Sequence, residues 1–436
     1  MQIRPSSFSF TLLLGCLAAV PYSGIDINLP ALAATGAALG VEPSDVGLTM
    51  SVSMIGLALT PLIYGPLSDR LGRKPIVLFG LVLFVMASLG CMAAQSLPAL
   101  IIFRLAQAVG ASSTTLTFAV IRDLFDETAA RTRIANVVVA INVVTVIAPG
   151  AGAALLAIGS WRLIYATQAA LGATLILAVL LGFAESARID PAGRFAPAAV
   201  IRDYLRVLTH PVSFAFILVG AAQGAAVFAY VTGAPLFFIG VVGLRPDQYG
   251  MIFSACSAAV MCGAFVDGRL ARHGVAPRRT LTFALGLLSV AACVALALTL
   301  FRGAHPALIV ALLLAVALSF GLSMPNIMNA IMQPLPDIAG AVSAVAGSIQ
   351  MTAGAIGSGL VAAFFDGRSA LSMTAVMAAS SLAALTLYLL VARSAGHSQQ
   401  HLVFDQSSEA AAFGAERPIA GEIAGPRRPG RSRKVR

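Results

Sequence analysis

Two ionisable groups stand inside stretches that are otherwise apolar, and chemistry would start with them. Asp26 lies in Ser23-Gly24-Ile25-Asp26-Ile27-Asn28-Leu29-Pro30, within a run of membrane length. Inserting a carboxyl there costs on the order of 3 kcal/mol, so such a group faces a cavity or a partner, where it can bind and release a proton. The alternative is a carboxyl within a turn of the membrane face that merely reaches water. Arg104, in Phe103-Arg104-Leu105-Ala106-Gln107, is the only basic residue inside a predicted span. The first and fourth helices run in opposite directions, which puts Arg104 about two turns below the outer face, near the depth of Asp26. A guanidinium does not shed its proton, but it can stabilise a nearby carboxylate and order water. Its plainer use is to snorkel to the interface.

A third cluster lies between two apolar runs: Gly65-Pro66-Leu67-Ser68-Asp69-Arg70-Leu71-Gly72-Arg73-Lys74. Pinned between spans, it must sit at a membrane face. Its glycines allow a tight turn, and its charges can pair across helices, with Arg122 and Asp123 as candidates. Such a loop is a latch holding one access state, or else a set of solvated orientation charges. The fifth apolar segment carries Ala148-Pro149-Gly150-Ala151-Gly152-Ala153, where Pro149 removes a backbone donor and small residues permit close helix approach. Polar and aromatic residues on apolar helices include Tyr22, Asn28, Ser113, Phe118, Gln223, Tyr230, Phe237, Asn326 and Asn329. These line a substrate cavity or glue helices together. The set is short of charge, which suits a weakly polar or neutral organic substrate better than a phosphate ester or dicarboxylate.

The elements that position these residues follow from composition. Hydrophobic residues make up 58% of 436, charged ones 11%, and mean hydropathy is +0.91. A water-soluble fold could not hide that much apolar surface. The reading is an all-α polytopic membrane protein of twelve helices, near 8–30, 46–66, 74–95, 98–120, 134–157, 163–184, 211–240, 248–268, 280–300, 305–334, 340–365 and 369–392. This gives a six-helix bundle at 1–184, a central loop at 185–210, a second bundle at 211–392 and a basic, disordered tail at 393–436. Five cysteines, odd in number and within apolar segments, read as reduced core residues. The first apolar run is about 22 residues, too long for a signal-peptide core of roughly 7 to 15, so an uncleaved helix is expected.

Lys and Arg set the orientation. Alternate loops from Arg4 to Arg279 hold fifteen, and the other set (Arg162, Arg245, Arg302, Arg368) holds four. Both termini and the central loop are therefore expected in the cytoplasm, and the net charge of +10 reads as this bias and not as nucleic-acid binding. A weak repeat supports two halves. Asp267-Gly268-Arg269 echoes Asp69-Arg70 at an offset of 198, Pro235 echoes Pro30 at 205, and Gly367-Arg368 echoes Trp161-Arg162 at 206. No nucleotide-binding loop, metal-ligand spacing or catalytic triad pattern is present, so the chain reads as no enzyme, with no cofactor and no metal.

The loop at 65–74 resembles the G-x-x-x-D-R-x-G-R-[KR] signature of the major facilitator superfamily at every fixed position. With Ile25-Asp26-Ile27-Asn28-Leu29-Pro30, Phe103 to Ala111, Val120-Ile121-Arg122-Asp123 and Met324-Pro325-Asn326, the chain is similar to the bicyclomycin-resistance (Bcr/CflA) branch of drug:proton antiporters over residues 8 to 392. The resemblance implies two pseudo-symmetric six-helix bundles in a bacterial inner membrane, a monomer, and export of amphipathic antimicrobial compounds against inward proton flow. By motif position it implies proton coupling at Asp26 with Arg104. It also implies a cytoplasmic latch of Gly65, Asp69, Arg70, Gly72, Arg73, Lys74, Arg122 and Asp123, and an antiporter helix kink at Pro149 and Gly152. Asn28 replaces a common Tyr, and Ala148 and Ala153 replace glycines. Carriage of an endogenous metabolite, and a membrane sensor without transport, are the alternatives.

Overall fold

The computed structural model describes residues 7–182, 184–186, 197–301 and 305–413. The first part of the chain forms α1 (Phe8–Asp26), α2 (Leu32–Leu39), α3 (Pro43–Leu71), α4 (Arg73–Ala93), α5 (Leu97–Ser112), α6 (Thr117–Leu124), α7 (Glu127–Ile158) and α8 (Arg162–Gly182). After these come α9 (Pro197–Thr209), α10 (Pro211–Pro235), α11 (Pro246–Arg272), α12 (Pro277–Leu300), α13 (Pro306–Met332), α14 (Ala339–Ala363) and α15 (Leu371–Phe413). Many starts are set by proline. Pro43, Pro98, Pro211, Pro246, Pro277 and Pro306 occupy the first or second helical position, where the missing N–H has no intrahelical partner to lose and φ is already helical.

Twelve segments are long and apolar enough to cross a membrane, as the sequence predicts. The first is longer than expected. α1 ends at Asp26, a 3-10 turn covers Leu29–Ala31, and α2 carries the span to Leu39 before Gly40 (φ 67) stops it. The fourth span joins α5 to α6 through a 3-10 turn at Ser113–Leu116, and the seventh ends in a π-helical turn, Leu236–Val241. Large apolar side chains such as Phe79, Met86, Ile147, Phe265 and Phe283 point outward, as a lipid-facing surface requires.

Helix pairing repeats between the halves. α3 and α4 each pack on α5, and α1 packs on α7; correspondingly α11 and α12 each pack on α13, and α10 packs on α14. The first bundle is filled by Phe10, Leu14, Leu17, Leu81, Phe84, Val120, Ile121 and Val179. Two seams join the bundles, α3 against α14 and α7 against α11, and they keep both bundles within one compact unit, Met1–Tyr388. The second unit is Leu389–Arg436, in which α15 continues as helix to Phe413. The stretch 393–413, expected as part of a disordered tail, is therefore helical, and the tail from 414 on lies outside the described residues.

The polar connection 185–210 also contains a helix that the sequence reading missed, the amphipathic α9. Arg188, Asp190 and Arg194 of that connection lie outside the described residues. All five cysteines are free thiols. The bundle has two ends. Gly40, Ser160 and Arg245 mark one, called the Gly40 end below, and Gly72, Asp123 and His273 mark the other, the Gly72 end.

Candidate functional site

Asp26 is the last residue of α1, at the break that the 3-10 turn continues. It is 8% exposed, and its carboxylate has no hydrogen-bond or ion-pair partner among the described residues. Asn28, just beyond, turns its amide back and donates to the Gly24 carbonyl at 2.8 Å. Tyr22, one turn before Asp26 on the same helix face, is 41% exposed although it sits well inside a span.

Arg104 is among the most deeply buried large side chains, at 2% exposure. Its Nη1 donates to the Gly24 carbonyl at 2.9 Å and to Gln107 Oε1 at 2.7 Å, and its Nη2 lies 3.7 Å from Met50 Sδ. Gln107 in turn donates to Ser88 Oγ and Gln168 Oε1, both at 2.8 Å, and the guanidinium stands 6.0 Å from the Tyr165 ring centroid. Five helices, α1, α3, α4, α5 and α8, therefore converge on one cation that has no carboxylate within ion-pair distance. Neutral dipoles carry the charge, which a low-dielectric site demands when no anion is supplied. The alternative for Arg104, snorkelling to the interface, does not hold here. Arg104 meets the first helix at Gly24, two residues from Asp26, and not at the carboxylate. Its Nε has no partner and adjoins a cavity of about 10 Å³ lined by Pro21, Gly24, Ser53, Phe84 and Gln107.

At the Gly72 end the expected charges do meet. Arg73 holds Asp69 at 2.6 Å and Asp123 at 3.0 Å, and its Nη1 also donates to Ser68 Oγ at 2.5 Å. Asp69, Arg73, Arg122 and Asp123 line a cleft of about 650 Å³, in which Arg122 has no ion-pair partner among the described residues. Glu185 is the first residue of the polar connection 185–210. Its carboxylate accepts from the backbone N–H groups of Arg73 (2.8 Å) and Lys74 (3.1 Å), the first turn of α4, while Lys74 Nζ donates to the Leu180 carbonyl at 3.2 Å near the end of α8. Anion at a helix start and cation at a helix end both oppose the local dipole, so α4 and α8 are clasped twice. Gly72 makes this possible: its φ is +99, and a Cβ there would overlap Glu185. Gly65, by contrast, has open space around it. The second bundle repeats the device in weaker form, Asn326 on α13 donating to Asp267 on α11 at 2.6 Å.

α7 runs as one helix through Pro149. A Cβ on Gly152 would overlap the Ile27 carbonyl, so this glycine is what lets the break after Asp26 lie against α7. Gly250 of α11 faces Pro149 and Gly150, and Ser254 Oγ donates to the Val146 carbonyl at 2.6 Å. The other seam is held likewise: Ser51 Oγ donates to Ser358 Oγ at 3.0 Å and Ser348 Oγ donates to the Ala58 carbonyl at 2.5 Å, while Thr232 Oγ1, within the second bundle, lies 2.6 Å from the same Ser358 oxygen. These contacts fall from mid-bundle to the Gly40 end, where the turn Leu29–Ala31 also packs on α10 and α11.

Several cavity candidates prove to be interface groups in this conformation. Ser113 is fully buried against Gly80 and donates to the Gly110 carbonyl, and Gln223 is fully buried and bonded to Ser323. Phe118 packs on the first bundle's core, and Phe237 is buried edge-on to Phe238 at 5.1 Å. A membrane interior supplies no water, so such groups turn to neighbouring backbone and amides. Asn329 is exposed. Tyr230 and the unanticipated Tyr249 each lie 6.3 Å from Phe253, and the Tyr249 hydroxyl is buried without a partner.

Residues 12–358 match the sequence profile of the Major Facilitator Superfamily. The chain belongs to that superfamily. Relatives of this facilitator include a "Bicyclomycin resistance protein homolog" of Haemophilus influenzae, 24% identical over 400 residues that cover 90% of this chain and 98% of that protein. "Multidrug resistance protein MdtL" of Shewanella oneidensis is 29% identical over 248 residues, covering 56% and 61%. The crystal structure of the nucleoside transporter NupG has the same fold, with a TM-score of 0.71 at 13% identity over 87% of this chain and 99% of that one. This facilitator is a multi-pass membrane transporter and not an enzyme.

Proposed function

We propose that this facilitator exports small amphipathic antimicrobial compounds, phenicol- or bicyclomycin-like, across the bacterial inner membrane in exchange for protons. The observation that carries the reading is the Asp26 carboxylate: buried at a helix break, next to an exposed Tyr22, and without a fixed partner. A buried carboxylate with permanent partners would be structural; one without them is free to trade a proton for another occupant. The Arg104 network holds the Gly24 backbone that leads into it. The names of the relatives support an antimicrobial cargo.

The Lys/Arg bias puts the Gly72 end and both termini in the cytoplasm. The cross-seam bonds then close the outer side, and the bundles 1–184 and 211–392, joined by 185–210, rock about the two seams as a monomer to open it. Asp69, Arg73 and Asp123 act as the cytoplasmic latch. The test is drug-induced proton flux in proteoliposomes with an imposed pH gradient, using chloramphenicol, florfenicol and bicyclomycin. Wild type is expected to show flux that Asp26→Asn abolishes while the variant remains in the membrane. Coupled transport by Asp26→Asn at the wild-type rate would remove Asp26 from the mechanism, and silence of wild type with every drug would point to a dedicated metabolite carrier.

A further inference from the structure

The connecting helix α9 does something that transport alone does not call for. It has 13 residues, about 20 Å of helix, and lies between the sixth span, ending at Gly182, and the seventh, starting at Pro211. Both ends are thereby held at one membrane face, and the helix is too short to cross. One side is packed: Val207 is fully buried, Tyr204 donates to the Leu62 carbonyl of α3 at 3.0 Å, and Arg206 pairs with Asp337, just before α14, at 2.5 Å.

The opposite side is apolar and bare. Ile201 (56% exposed), Leu205 (54%) and Leu208 (37%) follow a 4–3 spacing that Val212 (45%) continues into α10. This is the stripe of an amphipathic helix with no protein partner among the described residues. Arg202, its side chain 78% exposed, and Arg206 flank the stripe on one side, and their carboxylates Asp203 and Asp337 lie toward the packed side. An apolar stripe edged by arginines and held at the level of the headgroups fits one surface, a bilayer with anionic phosphate groups.

We infer that α9 is an in-plane helix that sinks Ile201, Leu205 and Leu208 into the leaflet at the Gly72 end and binds anionic phospholipid headgroups through Arg202. Because its packed side bonds to α3 through Tyr204 and to the start of α14 through Arg206, this lipid contact is made on the very seam that must move. The inference goes beyond the proposed export activity and does not depend on it.

The experiment reads lipid contact directly. The single native tryptophan, Trp161, is replaced by phenylalanine and a reporter is introduced as Leu205→Trp, with Ile201→Trp as a second variant on the same stripe. Each protein is reconstituted with brominated phosphatidylcholine or brominated phosphatidylglycerol at equal mole fraction. Quenching by both lipids is expected, with phosphatidylglycerol favoured about fivefold; adding Arg202→Gln is expected to erase most of that preference while quenching by phosphatidylcholine persists. Emission typical of water with no quenching by either lipid overturns the inference. So does blue-shifted emission that no lipid quenches, because a second copy of the chain would then cover the stripe. Equal quenching by both lipids overturns the headgroup assignment.

Discussion

At the Gly72 end of the bundle the contacts are ionic, and apart from the Arg206–Asp337 pair, which ties the connecting helix to the start of α14, those of the charged loop lie within one half. Arg73 meets Asp69 and Asp123, and Glu185 caps α4, all on residues before the connecting helix. At the Gly40 end and toward the middle, the contacts cross between halves and are made by hydroxyls, Ser51 to Ser358 on one seam and Ser254 to Val146 on the other. The difference fits what each place must do. A seam that opens and closes in a dry interior cannot leave charges stranded, whereas serine and threonine bonds, worth about 0.6 kcal/mol each between membrane helices, can be broken and replaced by bonds to the helix's own backbone. A water-washed loop has no such restriction, so charge can hold its shape.

The sharpest way to break this comparison is to weld the hydroxyl seam. Ser51→Cys/Ser358→Cys places two thiols where the hydroxyl oxygens are 3.0 Å apart, close enough for a disulfide after a small shift. Oxidation is expected to all but abolish transport and reductant to restore it, with oxidised wild type as the control for the native cysteines. Full transport by the cross-linked protein would show that this seam does not move. A smaller effect is expected at the charged end. Arg73→Ala removes both carboxylate contacts, and turnover is expected to fall about tenfold with little change in substrate affinity; stopped-flow transport rates that match wild type would reduce the loop to an orientation signal. Smallest is Ser358→Ala, which deletes the one Ser51–Ser358 bond across the seam and is expected to shift the balance of access states about threefold toward the opened seam. Accessibility of a thiol-reactive probe at Gly47→Cys, on the same seam against Ala362, with and without Ser358→Ala measures the shift, and an unchanged labelling rate would mean that packing, not hydroxyl pairing, holds the seam.

The spans were legible from sequence because hydrocarbon thickness allows few other solutions, and helix starts were marked by prolines. For the loop charges the sequence offered both Arg122 and Asp123 as partners, and only the family resemblance pointed to the cluster; the structure uses Asp123. Arg104 could not be assigned its partners. The sequence offered Asp26 as the obvious counter-charge, yet the Gly24 carbonyl and Gln107 serve, since backbone acceptors leave no mark in a sequence. The same blindness hid Glu185, whose partners are two amides. Ser113 and Gln223 show a different limit: a polar residue on an apolar helix faces either a cavity or a neighbour, and helical periodicity gives the face but not what lies opposite. α9 escaped notice because it is only 13 residues long and its apolar residues are interrupted by Arg202, Asp203 and Arg206.

Synthesis proceeds from the N-terminus, so α1 and α3 leave the ribosome before α5. The Gly24 carbonyl and the Met50 sulfur are therefore already in place when Arg104 arrives, Gln107 arrives on the same helix, and Gln168 comes last. Taken alone, a helix with an arginine two turns inside its end enters the bilayer against a cost that reaches roughly 3 kcal/mol at the centre. The earlier helices act as its receptor, and loss of α1 would remove a docking site for the fourth span as well as one helix of twelve. A nascent chain lacking residues 8–39 would then tend to leave that span outside the membrane and invert the topology of those that follow.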